Sequence, residues 1–411
     1  MGLHEFRPAP SGRMGTLWTL ASIRDAALLE FGCTGHMTYA RVVLSRAGVK
    51  EACRLYSSHI DETDIALGGI GRIRRAVADI TERDAPKYLW MLPSAVPTVI
   101  GTDLSAICCE LQPDYPATKL IPFLCGGFDV TQHRAVEETL KQLVSVMPKE
   151  TAKTVRPTFN VIGSCADLFR FQEDTAELVR IMEGSFGIKP LCILTSNTCA
   201  TDIENMGGAH INFVIRREGE AAAKKLQQQF GTPYILARPY GMSATIKWLD
   251  QVGEILKIMP DKEFINGEQK EYTALMTFIG PTLRHMIHEH PENVTLSVGA
   301  HSDIVKGVLD YGCGELGFPR GISWCDSPEM ASTEVPYFTE SKRVQAVSRH
   351  KKGLLMTDGE ALAWAKHNPA LQISNPDIKF RLNPYRPPFV GFRGAVNLID
   401  LWVNAAREQE T

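Results

Sequence analysis

Cys33 stands in the run Phe31-Gly32-Cys33-Thr34-Gly35, and His36 follows at once. A thiol in a glycine-rich turn sits where backbone can approach closely and apolar packing is sparse. That setting suits a thiolate ligand to a soft metal. His36 and His59 lie near it in the chain, and Asp61-Glu62-Thr63-Asp64 forms a dense acidic loop. A helix cap accounts for Thr63 or Asp64. Asp61 and Glu62 read either as solvent-facing or as groups that position a partner or substrate. The remaining cysteines lack metal spacing, because no C-x-x-C pair occurs and adjacent Cys108 and Cys109 diverge on a helix. Taken singly, Cys53, Cys108, Cys125, Cys165, Cys192, Cys199, Cys313 and Cys325 read as small buried hydrophobes. His285 and His288, with His290 beyond, fall at i and i+3 on a helix without an H-E-x-x-H or carboxylate pattern, so they read as helix surface. Gly68-Gly69-Ile70-Gly71 precedes Arg72, Arg74 and Arg75. It lacks the G-x-G-x-x-G spacing, and G-x-x-x-x-G-K-[ST] occurs nowhere, so no nucleotide-hydrolysing P-loop is expected. A tight strand-to-helix turn explains the glycines, with an anion at the helix start as the alternative.

These residues need a scaffold, and length and composition bound it. The chain has 411 residues, 44% of them hydrophobic and 22% charged. That is ordinary globular composition, long enough for several domains, and it excludes disorder as the main state. The net charge of −3 excludes a chain that is basic overall, so no nucleic-acid partner is expected. The N-terminal segment shows no secretory pattern, residue 6 offers no Ser or Thr for myristoylation, and no apolar run is long enough to cross a membrane. A cytoplasmic protein with reduced cysteines is expected.

The hydrophobic pattern indicates a helix over 13–31, a second over 36–47, a short strand at 52–58 and a helix at 71–83. From residue 88 a strand–helix rhythm sets in. Strands are expected at 88–93, 119–123, 158–163, 190–195, 210–215, 233–237, 294–298 and 353–357. Helices are expected at 102–111, 131–147, 172–184, 218–230, 243–259, 267–290 and 301–311. Short apolar runs alternating with helices mean βαβ units and mostly parallel sheets of four or five strands. Polar joints at 148–157 and 260–267 divide the chain into three α/β domains, 1–155, 156–262 and 263–411. The segment 394–407 reads as a C-terminal helix packed back on the body.

Three segments carry a resemblance. They are GRMGTLWTLASIRDAALLEFGCTGHMTYARVVL, SSHIDETDIALGGIGRIRRAV and VPTVIGTDLSAI. Together they resemble the component 1 superfamily of nitrogenase. That group includes the large nitrogenase subunits, the cofactor scaffold proteins, the light-independent protochlorophyllide and chlorophyllide reductases, and the nickel-tetrapyrrole reductive cyclase of methanogens. The closing PFVGFRGAVNLIDLWVNA is similar to the family's final segment. The resemblance implies three Rossmann-like domains and an iron–sulfur cluster, of the 4Fe–4S type, shared across a subunit interface. Up to three cysteines come from each side. The second corresponds to Cys33, flanked by Gly32 and Gly35. The first corresponds to Pro8, with Gly12 keeping the turn, and the third to Ala95. Two of the three cysteine positions are therefore lost. A homodimer would bring two thiolates, and a heterodimeric partner could bring three. Cys125, His36, Asp61 and Glu62 are the further ligand candidates. Arg13, Arg41 and Arg72 could orient an acidic substrate or a docking protein.

The mechanism so implied is electron relay. A separate ATP-hydrolysing iron protein docks and passes electrons through the cluster to a small-molecule or tetrapyrrole substrate. The family's anchors for a molybdenum–iron cofactor, a cysteine and a histidine, find no counterpart in Cys199 and His210, which argues against dinitrogen. Two other readings stand beside this one. They are a non-enzymatic scaffold or carrier for a metallocofactor or tetrapyrrole, and a cluster-less protein of the same fold that binds a small metabolite.

Overall fold

A computed structural model describes residues 10–49, 53–127, 130–365, 370–376 and 386–409. Three four-stranded parallel sheets organise it, with helices in the crossovers. The first sheet holds β1 (Ala27–Phe31), β2 (Arg54–Ser57), β3 (Tyr88–Pro93) and β4 (Lys119–Pro122). The second holds β5 (Thr158–Ser164), β6 (Lys189–Thr195), β7 (Ile211–Val214) and β8 (Tyr234–Leu236). The third holds β9 (Leu296–Ala300), β10 (Arg320–Cys325), β11 (Leu354–Asp358) and β12 (Ala370–Ser374).

The three sheets share one strand order: β2-β1-β3-β4, β6-β5-β7-β8 and β10-β9-β11-β12. In each, the chain moves outward once and then reverses to the other side of its first strand. Parallel sheets of this kind open a crevice beyond the carboxyl ends of the first and third strands, where the winding direction switches. For the first sheet that crevice lies beyond Phe31 and Pro93, which are register partners.

The chain forms two compact units. One comprises Pro10–Asp167 and Pro190–Tyr234, the other Leu168–Lys189 and Ile235–Thr411. The first unit contains the helices α1 (Gly12–Leu20), α2 (Thr34–Arg46), α3 (Glu62–Leu67), α4 (Ile70–Asp84), α5 (Ala95–Val99), α6 (Leu104–Leu111) and α7 (Gln132–Val146). One of its cores joins Leu29, Phe31, Ile73, Val77, Met91 and Leu104, and Cys33 packs half-buried against it. In the second unit the closing helix Gly391–Arg407 packs against the helices Phe171–Phe186 and Gly241–Leu256 and buries Leu398 and Ile399, while its Trp402 ring rests on Tyr311 and Phe318. The expected C-terminal helix is thus present, starting three residues earlier than the pattern indicated.

Two element expectations are corrected. The single helix over 13–31 is in fact α1, a turn and β1. The run Ala27-Leu28-Leu29-Glu30-Phe31 is buried on both faces, since it pairs in parallel with β2 and β3. A strand buried on both faces shows no alternation, so its apolar run resembles a helix segment. Cys33 therefore lies between a strand and a helix, not between two helices. The polar segment 260–267 is largely helical, because the helix Lys262–Glu289 begins inside it. The Asp261 carboxylate accepts from the backbone N–H groups of Glu263 and Phe264 at 2.8 and 3.1 Å, and this cap sets the start. Strands β10 and β12 have no counterpart among the expected elements. No described helix is long and apolar enough to cross a membrane.

Candidate metal centre

The structure sorts the cysteines by burial. Desolvation pushes the thiols of Cys53, Cys108, Cys165 and Cys192 up to about 12, so they stay protonated and pack as hydrophobes. Cys325 is also buried, and Cys109 faces solvent. Cys33, Cys125, Cys199 and Cys313 remain at intermediate depth. Two of these four, Cys33 and Cys125, follow strands of the first sheet.

The carboxyl edge of that sheet gathers chain segments that are far apart in sequence. Beyond the Phe31–Pro93 pair, Gly32 meets Ser94, and Cys33 and Ala95 follow them at the starts of α2 and α5. The Ser94 N–H donates to the Phe31 carbonyl at 2.9 Å, which holds this register. On the other side of β1, the Ile60 N–H donates to the Gly32 carbonyl at 3.2 Å and brings His59 alongside. Across β3, the Phe123 N–H donates to the Met91 carbonyl at 2.8 Å and leads the chain to Cys125. A Cβ on Gly126 would sit 1.9 Å from the Pro93 carbonyl oxygen, so this loop lies directly on the end of β3. The second and third cysteine positions of the family resemblance, Cys33 and Ala95, thus each follow one of the two residues, Gly32 and Ser94, that meet at the topological switch. Pro8 lies outside the described residues.

The two glycines beside Cys33 differ. A Cβ on Gly32 would meet Ser94 Oγ at 2.4 Å, so only glycine allows β1 and β3 to approach here. A Cβ on Gly35 would meet nothing within 4 Å. Gly12 opens α1 and presses against the Val130 carbonyl, to which its N–H donates at 2.8 Å.

Cys33 is the N-cap of α2, with φ −73° and ψ 141°. Its side chain makes no capping hydrogen bond. The free N–H groups and the dipole of the helix start favour negative charge at this point. His36 is the third residue of the helix, and its N–H donates to the Cys33 carbonyl at 3.1 Å. His36 Nδ1 and Ser94 Oγ are shut off from solvent and meet no hydrogen-bonding partner among the described residues.

The remaining candidates are engaged locally. His59, at φ 53°, shares a 2.7 Å hydrogen bond between its Nδ1 and the Thr34 hydroxyl. Asp61 caps α3, accepting from the Asp64 N–H at 3.0 Å, and receives Arg72 at 2.8 Å. The Asp64 N–H holds its carboxyl below the usual carboxylate range, with Arg72 adding to the effect against the cost of burial. Glu62 lies exposed in the first turn of α3. Arg41 donates to the Leu55 carbonyl at 2.5 Å.

Arg13 is buried and grips Glu30 with two guanidinium nitrogens, one of them at 2.7 Å. Glu30 has no solvent exposure. This ion pair lies directly beneath the Cys33 turn and braces β1 against α1, so the Arg13 guanidinium is committed inward. Sequence reasoning passed over Glu30 and Ser94. The signal for Glu30 was a lone acid inside an otherwise apolar run, which implies a buried cationic partner.

Beyond the carboxyl ends of β5 and β7 in the second sheet lies a buried network of the chain's own charges. Fully buried Arg216, beyond β7, contacts both Asp167 oxygens at 2.7 and 2.8 Å and both Glu218 oxygens at 2.8 and 3.0 Å. His133 Nδ1 meets Glu218 Oε1 at 2.8 Å. A Cβ on Gly163, in β5, would lie 2.7 Å from Arg216 Cγ. Cys199 Sγ lies 3.3 Å from the Arg24 guanidinium, and His210 Nδ1 accepts from the Thr158 N–H at 3.4 Å.

The family model described as Nitrogenase component 1 type Oxidoreductase matches residues 11–317. A subunit of light-independent protochlorophyllide reductase from Gloeothece citriformis (strain PCC 7424) is 23% identical over 275 residues, 63% of this chain and 53% of that protein. The corresponding protein from Roseobacter denitrificans (strain ATCC 33942 / OCh 114) is 27% identical over 188 residues, 46% of this chain and 36% of that protein. The nitrogenase iron-molybdenum cofactor biosynthesis protein NifE of Clostridium pasteurianum is 25% identical over 266 residues, 62% of this chain and 57% of that protein. The chain spans about half the length of the curated relatives it matches. Among solved structures, one of nitrogenase Cp1 at pH 6.5 superposes with a TM-score of 0.77 at 17% identity, covering 100% of this chain and 95% of that one. At that identity the likeness establishes the fold alone.

Proposed function

The chain belongs to the nitrogenase component 1 type oxidoreductase family, and from that premise we propose that it is a reductase subunit holding one side of an interface iron–sulfur cluster at Cys33. The observation that carries this reading is the position of Cys33. It is a half-buried thiol at a helix N-cap, at the topological switch of the first sheet, with no capping bond. The residues supply one of a cluster's ligands, the Cys33 thiolate. Four protein ligands are the usual requirement, and Ala95 supplies none. A different component 1 subunit could bring the other three, whereas a copy of this chain would bring one more thiolate and leave two positions to other groups.

The surface beside Cys33 supports a covered edge. Val99 is 70% and Leu124 60% exposed, and Ile100 is exposed next to Val99. These side chains follow Ala95 and precede Cys125, and apolar groups so exposed fit a subunit contact. When bound, the cluster supplies one-electron relay. The protein's part is to hold Cys33 on a strand end braced by Arg13–Glu30 and to keep water from the edge once the partner docks. Electrons would come from an ATP-hydrolysing iron protein and go to a small molecule or tetrapyrrole. The internal ion pairs around Arg216 leave the second crevice poorly suited to a molybdenum–iron cofactor, which favours a substrate other than dinitrogen.

A carrier that receives a metallocofactor and passes it on is the second reading, and the missing thiol at Ala95 favours it. It predicts bound iron without ATP-dependent turnover by any iron protein.

The test is strictly anaerobic purification, alone and after co-expression with a second component 1 subunit, with iron and acid-labile sulfide measured. Near-stoichiometric iron and sulfide in either preparation supports the reading, and near-zero iron in both sinks it. A gain-of-ligand variant gives a further prediction. Ala95→Cys restores a thiol at the position matching the family's third cysteine and should slow iron loss to a chelator at least severalfold. An unchanged rate would mean that position 95 does not face the cluster.

A further inference from the structure

We propose that two copies of this chain pair through the long helix Lys262–Glu289, antiparallel about a two-fold axis that passes Phe278. The inference is independent of the cluster at Cys33 and concerns an element of the second unit. One side of this helix is already used. Phe264 meets Phe392 edge-on with ring centroids 6.5 Å apart, and Arg180 donates to both Glu268 oxygens at 2.7 and 3.0 Å. The Tyr272 and Tyr311 hydroxyls lie 3.4 Å apart, and Leu283 and Met286 are buried. The helix thereby docks on Phe171–Phe186 and on the closing helix.

A second stripe is open along its length. Gly267, Glu271, Ala274, Phe278, Thr282 and His285 follow one another at spacings of three and four, and all are exposed. Phe278 is 83% exposed and is the one phenylalanine left in water among the described residues. The order of the flanking groups selects a second copy as its cover. A two-fold contact uses the same patch twice, so each group must meet its complement at the mirrored position. Glu271 stands as far before Phe278 as His285 stands after it. The two-fold operation therefore lays the carboxylate of one copy beside the imidazole of the other, at both ends of the contact. Ala274 and Thr282 are likewise equidistant, and their small side chains let the two Phe278 rings meet on the axis. Glu271 and His285 form no ion pair within their own chain among the described residues, and the His285 ring packs edge-on to His290 at 5.9 Å. A partner helix of unrelated sequence would give no reason for this symmetry.

The test is sedimentation velocity of the full-length protein over a wide concentration range, with the variants Phe278→Glu, Glu271→Lys and Glu271→Lys/His285→Glu. Phe278→Glu puts two like charges on the axis and should weaken self-association by about tenfold or more, and Glu271→Lys by a smaller factor. The double variant exchanges the two groups, so each again meets its opposite and association should recover. These positions face solvent in the single chain, so circular dichroism and thermal melting should stay unchanged. A chain that also pairs at the Cys33 edge loses one step of assembly in Phe278→Glu and keeps the other. A protein that is monomeric at every concentration, association unchanged in Phe278→Glu, or a double variant as weak as Glu271→Lys overturns the proposal. So does a chain that uses this helix only for a different subunit.

Discussion

Replacing Cys33 with alanine is expected to leave a folded but colourless protein. Cys33 is only half-buried and makes no cap bond, so losing its sulfur should cost roughly 1 kcal/mol or less. The β1–β3 contact it borders depends on Gly32 and on the Ser94–Phe31 hydrogen bond, both of which remain. Iron binding should behave differently. The other thiol at this edge, Cys125, follows β4 two strands away, and Ala95 brings none. Iron per protomer should therefore fall at least tenfold, with the absorption near 400 nm. Circular dichroism and thermal melting should stay close to those of the unaltered protein. Iron retained in Cys33→Ala would remove Cys33 from the ligand set.

The second large effect is on stability. Arg13→Met leaves Glu30 buried and without its cation. Stranding one partner of a buried ion pair typically costs about 3–5 kcal/mol, a large share of a domain's stability. The Arg13 and Glu30 side chains are 8% and 0% exposed, so solvent screening offers little relief. The urea midpoint should drop sharply. The double variant Arg13→Met/Glu30→Leu should recover most of the loss, because an apolar pair of similar volume carries no desolvation cost. If the single variant melts like the unaltered protein, the pair does not brace β1.

Much of the scaffold was legible in the chain. From Tyr88 to Leu236, apolar runs and amphipathic stretches alternate cleanly, and β3, β4, β5, β6 and α7 fall where the pattern put them, whereas β10 and β12 further on left no such signal. The N-terminal stretch misled for a physical reason. Its helix-forming residues continue into a strand buried on both faces, so no period-2 signal marks β1. The polar composition of 260–267 hid a helix start that one aspartate cap determines.

The site was legible only in part. Gly32 and Cys33 announced a special turn, but the convergence with Ser94, Ala95 and Cys125 depends on strand register, which spacing along the chain does not carry. The Arg13–Glu30 pair joins residues 17 apart through a helix–strand packing that the misread helix concealed. His36 stood out in sequence only by proximity. Its sealed, unpartnered nitrogen is a property of the folded chain.

The most direct measurement of the central claim is an anaerobic crystal structure of the purified complex, with anomalous diffraction recorded on both sides of the iron absorption edge. The account predicts an iron peak at the carboxyl edge of the first sheet, within bonding distance of Cys33 Sγ and lying between two subunits. A fully occupied iron site elsewhere, or an edge that holds Cys33 as a free thiol in a protein that otherwise carries iron, would contradict it.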